Sequence, residues 1–223
     1  MSREIVSGNE IKMRGLFISV EGIDGAGKST HVDFIATYLR DRGFQVILTR
    51  EPGGTDLGEK VRDILLHGAQ DMHRITELCL LFASRQELIS KVIEPNLAQG
   101  ICVIADRFID ASVAYQGYGR NIGQDKMAKI IDLLEPKLTT DLTFLFDAPL
   151  SLAISRVLKN RNKDRIESES VEFFTTVQNA YRMIAKQEPD RIKIIETNHD
   201  IEFSRRILVR HLDCLIRQKQ AEG

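Results

Sequence analysis

The first clear pattern is Leu16-Phe17-Ile18-Ser19-Val20, an apolar run of strand length. It passes through Glu21-Gly22-Ile23-Asp24-Gly25-Ala26-Gly27-Lys28-Ser29-Thr30 into a stretch where Val32, Ile35 and Leu39 share a helical face. That spacing predicts strand, loop and helix. Arg42-Gly43 is a stop, and Gln45 to Thr49 reads as a second strand leading to a tight loop, Arg50 to Thr55. Helical patterns follow from Leu57 to Leu66 and from Arg74 to Gln99, the latter with a bend expected near Pro95. Ile101 to Ala105 is a continuous apolar run of buried parallel-strand type, ending at Asp106-Arg107. A helix is expected from Asp125 to Leu134, a fourth strand from Leu142 to Phe146, and a basic segment, Arg156 to Glu169, lies between two helices. The long helix Phe173 to Lys186, a short strand Ile192 to Ile195 and a last helix Ile201 to Arg217 complete the chain. Strands alternating with helices predict an α/β fold with a mostly parallel sheet and right-handed crossovers. No repeat, low-complexity tract or linker interrupts the pattern, so residues 15–223 read as one domain behind a polar N-terminal extension, residues 1–14.

With 223 residues and 43% hydrophobic content, the chain can bury one good core. A net charge of -1 gives no bulk attraction to nucleic acid or to a membrane surface, which argues against polymer binding as the main role. Met1 to Arg14 is polar and charged, so neither a signal peptide nor an anchor is expected there. The apolar stretches near Leu78 to Ala83 and Ile101 to Ala105 are too short to span a bilayer, and a cytoplasmic protein is expected. Cys79, Cys102 and Cys214 are scattered and odd in number, which favours reduced thiols. His31, His67, His73, His199 and His211 show no ligand spacing.

The chemistry begins in the first loop. Gly22, Gly27, Lys28 and Ser29 fit G-x-x-x-x-G-K-[ST] between a strand and a helix, the context in which backbone N–H groups curl around phosphate oxygens. The loop from Gly22 to Thr30, with Ile23, Asp24, Gly25 and Ala26, then forms an ATP-phosphate cradle; Lys28 reaches the outer phosphates and Ser29 holds Mg2+. Two other readings are weighed against it. A solvated glycine-rich turn ignores the strand and helix, and a dinucleotide turn with Glu51 on a ribose fails because Gly22, Gly25 and Gly27 are spaced the wrong way round. In a parallel sheet, ligands bind at the carboxyl ends of the strands, which brings the Gly22 loop, Glu51, Asp106, Arg107 and Asp147 to one edge. Asp106 suits the magnesium shell or, equally, a turn cap; the adjacent Arg107, whose planar fork suits a phosphate, shifts the balance.

The segments Glu21 to Thr30, Thr49 to Thr55, Asp106-Arg107-Phe108, Ser112, Ala114-Tyr115-Gln116-Gly117 and Asp164-Arg165-Ile166-Glu167 occur in the order seen in bacterial thymidylate kinases. From about Leu16 to the last helix the chain resembles that family. The resemblance implies a P-loop kinase fold, a central five-stranded parallel sheet flanked by helices, with a short mobile lid at about residues 156–169. It also implies a homodimer, with small molecules as its other partners: transfer of the γ-phosphoryl of MgATP to dTMP, giving ADP and dTDP on the way to dTTP. By the same resemblance Asp24 meets the 3'-hydroxyl of the acceptor sugar, Glu51 belongs to the dTMP site, and Arg107 clamps the acceptor phosphate. Arg85 and Ser112 fall where the thymine edge is bonded, Tyr115 where a 2'-hydroxyl would be crowded, and Gln116 supports that wall.

Gly25 stands where one branch of the family carries an arginine; in the bacterial branch the transition-state cation comes from the lid. Arg161 or Arg165 is expected to supply it, from a segment that also holds Arg156, Lys159 and Lys163. Two departures matter. A base-stacking phenylalanine is usual four residues before the arginine at 85; Leu81 occupies that position and Phe82 sits three before, so Phe82 is expected to stack. Ala111 replaces a usual hydroxyl residue. Asn198 is a candidate adenine contact. The rivals are a kinase for dUMP or UMP, an ATP-binding assembly module, and a nucleotide switch. Asn162-Lys163-Asp164 lacks the spacing of a guanine-reading motif, and Arg107, Tyr115 and Gln116 argue for an acceptor site.

Overall fold

A computed structural model describes residues 13–69, 71–157 and 164–222. Five strands, β1 (Phe17–Glu21), β2 (Val46–Arg50), β3 (Cys102–Asp106), β4 (Leu142–Asp147) and β5 (Ile192–Glu196), form one sheet in the order β2-β3-β1-β4-β5. Every pairing is parallel, with Ile18 opposite both Ile104 of β3 and Leu142 of β4. Each strand ends one residue later than its apolar run, on Glu21, Arg50, Asp106, Asp147 and Glu196. Backbone pairing runs past the apolar positions, so a row of ionisable side chains is carried to the carboxyl edge. The chain leaves β1 towards β2 on one side and leaves β4 towards β5 on the other, so β1 stands where strand order reverses, the usual place for a ligand crevice.

Alternate residues of the central strands face opposite layers. Ile18, Val20, Ile104 and Phe144 pack with Ile35 and Leu39 of α1 (Lys28–Arg40), with Val177 and Tyr181 of α8 (Val171–Gln187), and with Leu208 and Leu212 of α9 (Ile201–Glu222). Phe17, Val103 and Ala105 face Leu78, Phe82 and Leu88 of α3 (Arg74–Leu88), and Leu97 of α4 (Glu94–Ala98). The expected bend falls before Pro95 as a wide π-helical turn, Ile89–Ile93, between α3 and α4. A proline ring clashes with the carbonyl four residues earlier, here Lys91, and the widened turn takes up that conflict.

Helix α2 spans Asp56–His67, capped by Thr55, whose side chain accepts from the Gly58 N–H at 2.9 Å. No helix was expected between β3 and Asp125. That segment folds as a short helix, α5 (Ile109–Ser112), running into a π-helical stretch, Val113–Gly119, ahead of α6 (Gln124–Ile131), which answers to the helix expected from Asp125 to Leu134. Its base is fixed by a polar seam: Arg191, before β5, donates to both oxygens of Asp110 at 2.7 and 2.9 Å and to Thr140 and Thr143 at 2.9 Å. Helix α7 (Leu150–Val157) lies between β4 and the basic segment.

Phe144 is fully buried at the centre of β4. Phe144→Ala is expected to lower unfolding stability by about 3–5 kcal/mol, read from urea titration, because the cavity cannot collapse within a paired strand.

Candidate active site

The loop after β1 is shaped by positions that a side chain could not occupy. Gly22 has φ 130°, and an added Cβ would lie 2.3 Å from the Phe146 carbonyl oxygen. Gly25 has φ 77°, and there a Cβ would meet the Ala153 carbonyl oxygen at 2.2 Å. The glycine at 25 therefore lets α7 close on the loop, and Arg156 of α7 donates to the Gly25 carbonyl at 2.9 Å. Lys28, the first residue of α1, turns back to donate to the carbonyls of Gly22 and Ile23, both at 3.0 Å, and lies 3.6 Å from Asp24. Ser29 and Thr30 are exposed at the start of the helix.

Facing the loop is Arg107, with φ 74°, a left-handed conformation that non-glycine residues seldom adopt. The amide after it explains why: Phe108 N–H donates to Glu21 Oε1 at 2.7 Å, while the Tyr181 hydroxyl donates to Oε2 at 2.9 Å. So turned, Arg107 donates to Asp24 Oδ1 at 2.7 Å and to the Gly22 carbonyl at 3.0 Å, with its guanidinium 5.0 Å from the Tyr115 ring centre. Burial works to raise the Asp24 carboxyl, but Arg107 and Lys28 outweigh it and hold it at about 2. Glu21 is pushed up to about 8, by burial first and by the charge of Asp110 second, against Arg107 and its two hydrogen bonds. Burial lowers Lys28, aided by Arg107 and opposed by Asp24, Asp106 and Glu21. Asp106 Oδ1 is buried and has no hydrogen-bond partner among the described residues.

A cavity opens from this charge cluster, lined by Asp24, Glu51, Arg107, Arg85, Ser112, Tyr115 and Gln116, so the sequence-expected acceptor residues, except Phe82, share one wall. Arg85 is 2% exposed; it donates through Nε to both oxygens of Glu51 at 3.1 and 2.9 Å, and through Nη2 to Glu51, Phe108 O and Ser112 Oγ, the last two at 3.1 and 3.0 Å. Its Nη1 is buried with no partner among the described residues. Burial raises the Glu51 carboxyl, opposed by Arg85.

Phe82 is corrected. Its ring belongs to the core beneath the Arg85 guanidinium, 4.7 Å away, and Leu81 is the residue that lines the cavity. One residue along α3 turns a side chain by about 100°, which separates cavity from core.

Arg165 also lines the cavity, with its guanidinium committed to Glu77 Oε2 at 2.6 Å and the Leu65 carbonyl at 2.9 Å. The lid arginine that touches the phosphate loop is Arg156; Arg161, with Lys159 and Lys163, lies outside the described residues. A second hollow, lined by Gly27, Thr30, His31, Arg156, Thr197 and His199, opens on the other side of the loop. Asn198 is exposed between the last two and is not part of that lining.

Sequence reasoning missed Arg62 and Glu77. Arg62, on α2, lines the same cavity and donates to the Pro52 carbonyl at 3.0 Å; a lone arginine on an amphipathic helix gives no signal. Glu77 had one: it shares a face of α3 with Leu81, Arg85 and Leu88, and a carboxylate on that face must find partners.

A family model described as thymidylate kinase matches residues 20–207. The chain belongs to the thymidylate kinase family. It is 46% identical to the thymidylate kinase of Methylobacillus flagellatus over 87% of this chain and 95% of that one. Against the thymidylate kinase of Thiobacillus denitrificans the identity is 45%, over 92% of this chain and all of the relative. The crystal structure of thymidylate kinase from Ehrlichia chaffeensis covers 90% of this chain and 99% of its own, with a TM-score of 0.73 at 35% identity. The family thus accounts for the five-stranded parallel sheet and the P-loop kinase fold.

Because Glu21 has its carboxyl raised in the fold, the folded state binds more protons than the unfolded chain between about pH 4.5 and 8, and its contribution to stability falls as pH rises through that window. Glu21→Gln is expected to flatten this part of the melting temperature against pH curve relative to the wild type, measured by circular dichroism.

Proposed function

We propose that the chain transfers the γ-phosphoryl group of ATP to dTMP, giving dTDP and ADP. One observation carries this reading beyond family membership: the Arg107–Asp24 contact, at 2.7 Å, joins the phosphate loop to the acceptor cavity, so the two substrates would meet end to end. Lys28 and the backbone N–H groups of the loop would hold the donor phosphates, and Arg107, with Arg62 beside it in the cavity, would hold the acceptor phosphate. Phosphoryl transfer demands little covalent chemistry from the protein; alignment and charge neutralisation supply most of the rate. Arg156, already on the loop, and Arg161 are the lid cations proposed for the transition state; Arg165 is proposed to shape the acceptor side instead.

A magnesium ion fits the oxygen donors available, the Ser29 hydroxyl and the buried Asp106 carboxylate oxygen that has no partner among the described residues, since Mg2+ takes one or two protein oxygens together with substrate phosphates. Bound there, the ion would neutralise charge on the β- and γ-phosphate oxygens. Tyr115 would close the wall beside the sugar, favouring deoxyribose. Leu57 and Ile64, each 46% exposed and two turns apart on α2, support the homodimer that the family resemblance implies. A cytoplasmic location is proposed from the family resemblance; no helix among the described residues is long and apolar enough to cross a membrane.

The test is ADP release from MgATP with dTMP, dUMP, dCMP, UMP, AMP or thymidine as acceptor. dTMP is expected to give the highest kcat/KM by at least tenfold. Equal turnover of UMP would overturn the role given to Tyr115, and a better substrate than dTMP would overturn the function.

A further inference from the structure

Glu77 is 1% exposed, yet three donors converge on it from two segments. Gln116 Nε2, in the π-helical stretch, reaches Oε1 at 2.9 Å; Arg120 Nε reaches the same oxygen at 3.2 Å; Arg165 Nη2, from the lid side, reaches Oε2 at 2.6 Å. Burial works to raise its carboxyl, but the Gln116 bond and the two arginines outweigh that and hold it below the ordinary carboxylate value. It is therefore an anion, and an anionic carboxylate only accepts hydrogen bonds.

That restriction fixes something the sequence leaves open. A glutamine amide can present either end, but the end facing Glu77 must be the nitrogen. Gln116 also lines the acceptor cavity, so its carbonyl oxygen is the end offered to a ligand. Arg85 lines the same cavity, and its Nη1 is a buried donor with no partner among the described residues. Within the polar lining, the Gln116 oxygen and this nitrogen make an acceptor and donor pair. Thymine and uracil carry the complementary pair, N3–H and O4. Cytosine carries the opposite one, a bare N3 and an N4 amine, and would set acceptor against acceptor and donor against donor.

We propose that Glu77 is a positioning residue for substrate choice: by holding the Gln116 amide with its oxygen towards the cavity, it makes the site select a pyrimidine protonated at N3 over cytosine. This rests on the reading of dTMP as acceptor. It differs from a wall or stacking role in depending on the orientation of an amide, and so on the carboxylate that holds that amide, which also lines the cavity. An amide at 77 can donate as well as accept, and Gln116 is then free to turn its nitrogen to the cavity.

The experiment measures kcat/KM for dTMP and dCMP with wild type, Glu77→Gln, Gln116→Met and the double variant. Wild type is expected to prefer dTMP; if it shows no preference, the acceptor reading fails and this inference with it. Given that preference, Glu77→Gln is expected to reduce the dTMP to dCMP ratio by roughly 10- to 100-fold, the size of one or two mismatched buried polar groups. An unchanged ratio would overturn the proposal and leave the kinase reading intact. In the Gln116→Met background, adding Glu77→Gln is expected to change the ratio no further; a further drop would show that Glu77 acts by another route. Should Glu77→Gln not fold, Gln116→Met decides alone. The ratio falls if the oxygen faces the base, whereas a constant or rising ratio would overturn the assignment.

Discussion

The site depends on one bent backbone position. Arg107 leaves β3 in a left-handed conformation, which costs a non-glycine residue about 1–3 kcal/mol. A single ordinary hydrogen bond contributes about 1 kcal/mol net and would not reliably cover that. The fold supplies several at once: the Phe108 amide to Glu21, Tyr181 to the same carboxyl, and the Arg107 guanidinium to Asp24 and Gly22. Remove the bend and Arg107 would continue along the strand, away from the phosphate loop. The neighbouring strands β1 and β3, in parallel register with Val20 opposite Asp106, make the arrangement possible by ending side by side.

Two buried carboxylates, Glu21 and Glu77, play matching parts around the site. Glu21 fixes a backbone and through it Arg107, the arginine proposed to hold the acceptor phosphate; Glu77 fixes an amide and, through Arg165, the lid-side turn beginning at Asp164. Both are buried, and neither is stable without its partners: Glu77 is a buried charge, which costs several kcal/mol when unpaired, and Glu21 is a buried polar group that needs its hydrogen bonds. Their burial gives the polar cavity a rigid frame, and rigidity is what alignment of two phosphates requires.

Much of this was legible in the amino-acid sequence. The five strands follow from apolar runs such as Ile101 to Ala105, and the loop from the spacing of Gly22, Gly27, Lys28 and Ser29. What escaped did so for local reasons. The π-helical stretches at 89–93 and 113–119 depart from the 3.6 repeat by which helices are read. Phe82 and Leu81 differ by one step on α3, too fine for a periodicity argument without the helix axis in hand. Arg165 was read from its charge, whereas its role in the fold comes from Glu77, 88 positions away in sequence, a distance no local pattern spans.

The central claim is that the bent Arg107 reads the phosphate of the acceptor. Its most direct test is calorimetric comparison of dTMP and thymidine binding to the wild type and to Arg107→Ala. The account expects wild type to bind dTMP at least tenfold tighter than thymidine, and Arg107→Ala to lose most of that advantage while its thymidine affinity stays near the wild-type value. An Arg107→Ala protein that kept the full preference for the phosphate would contradict it.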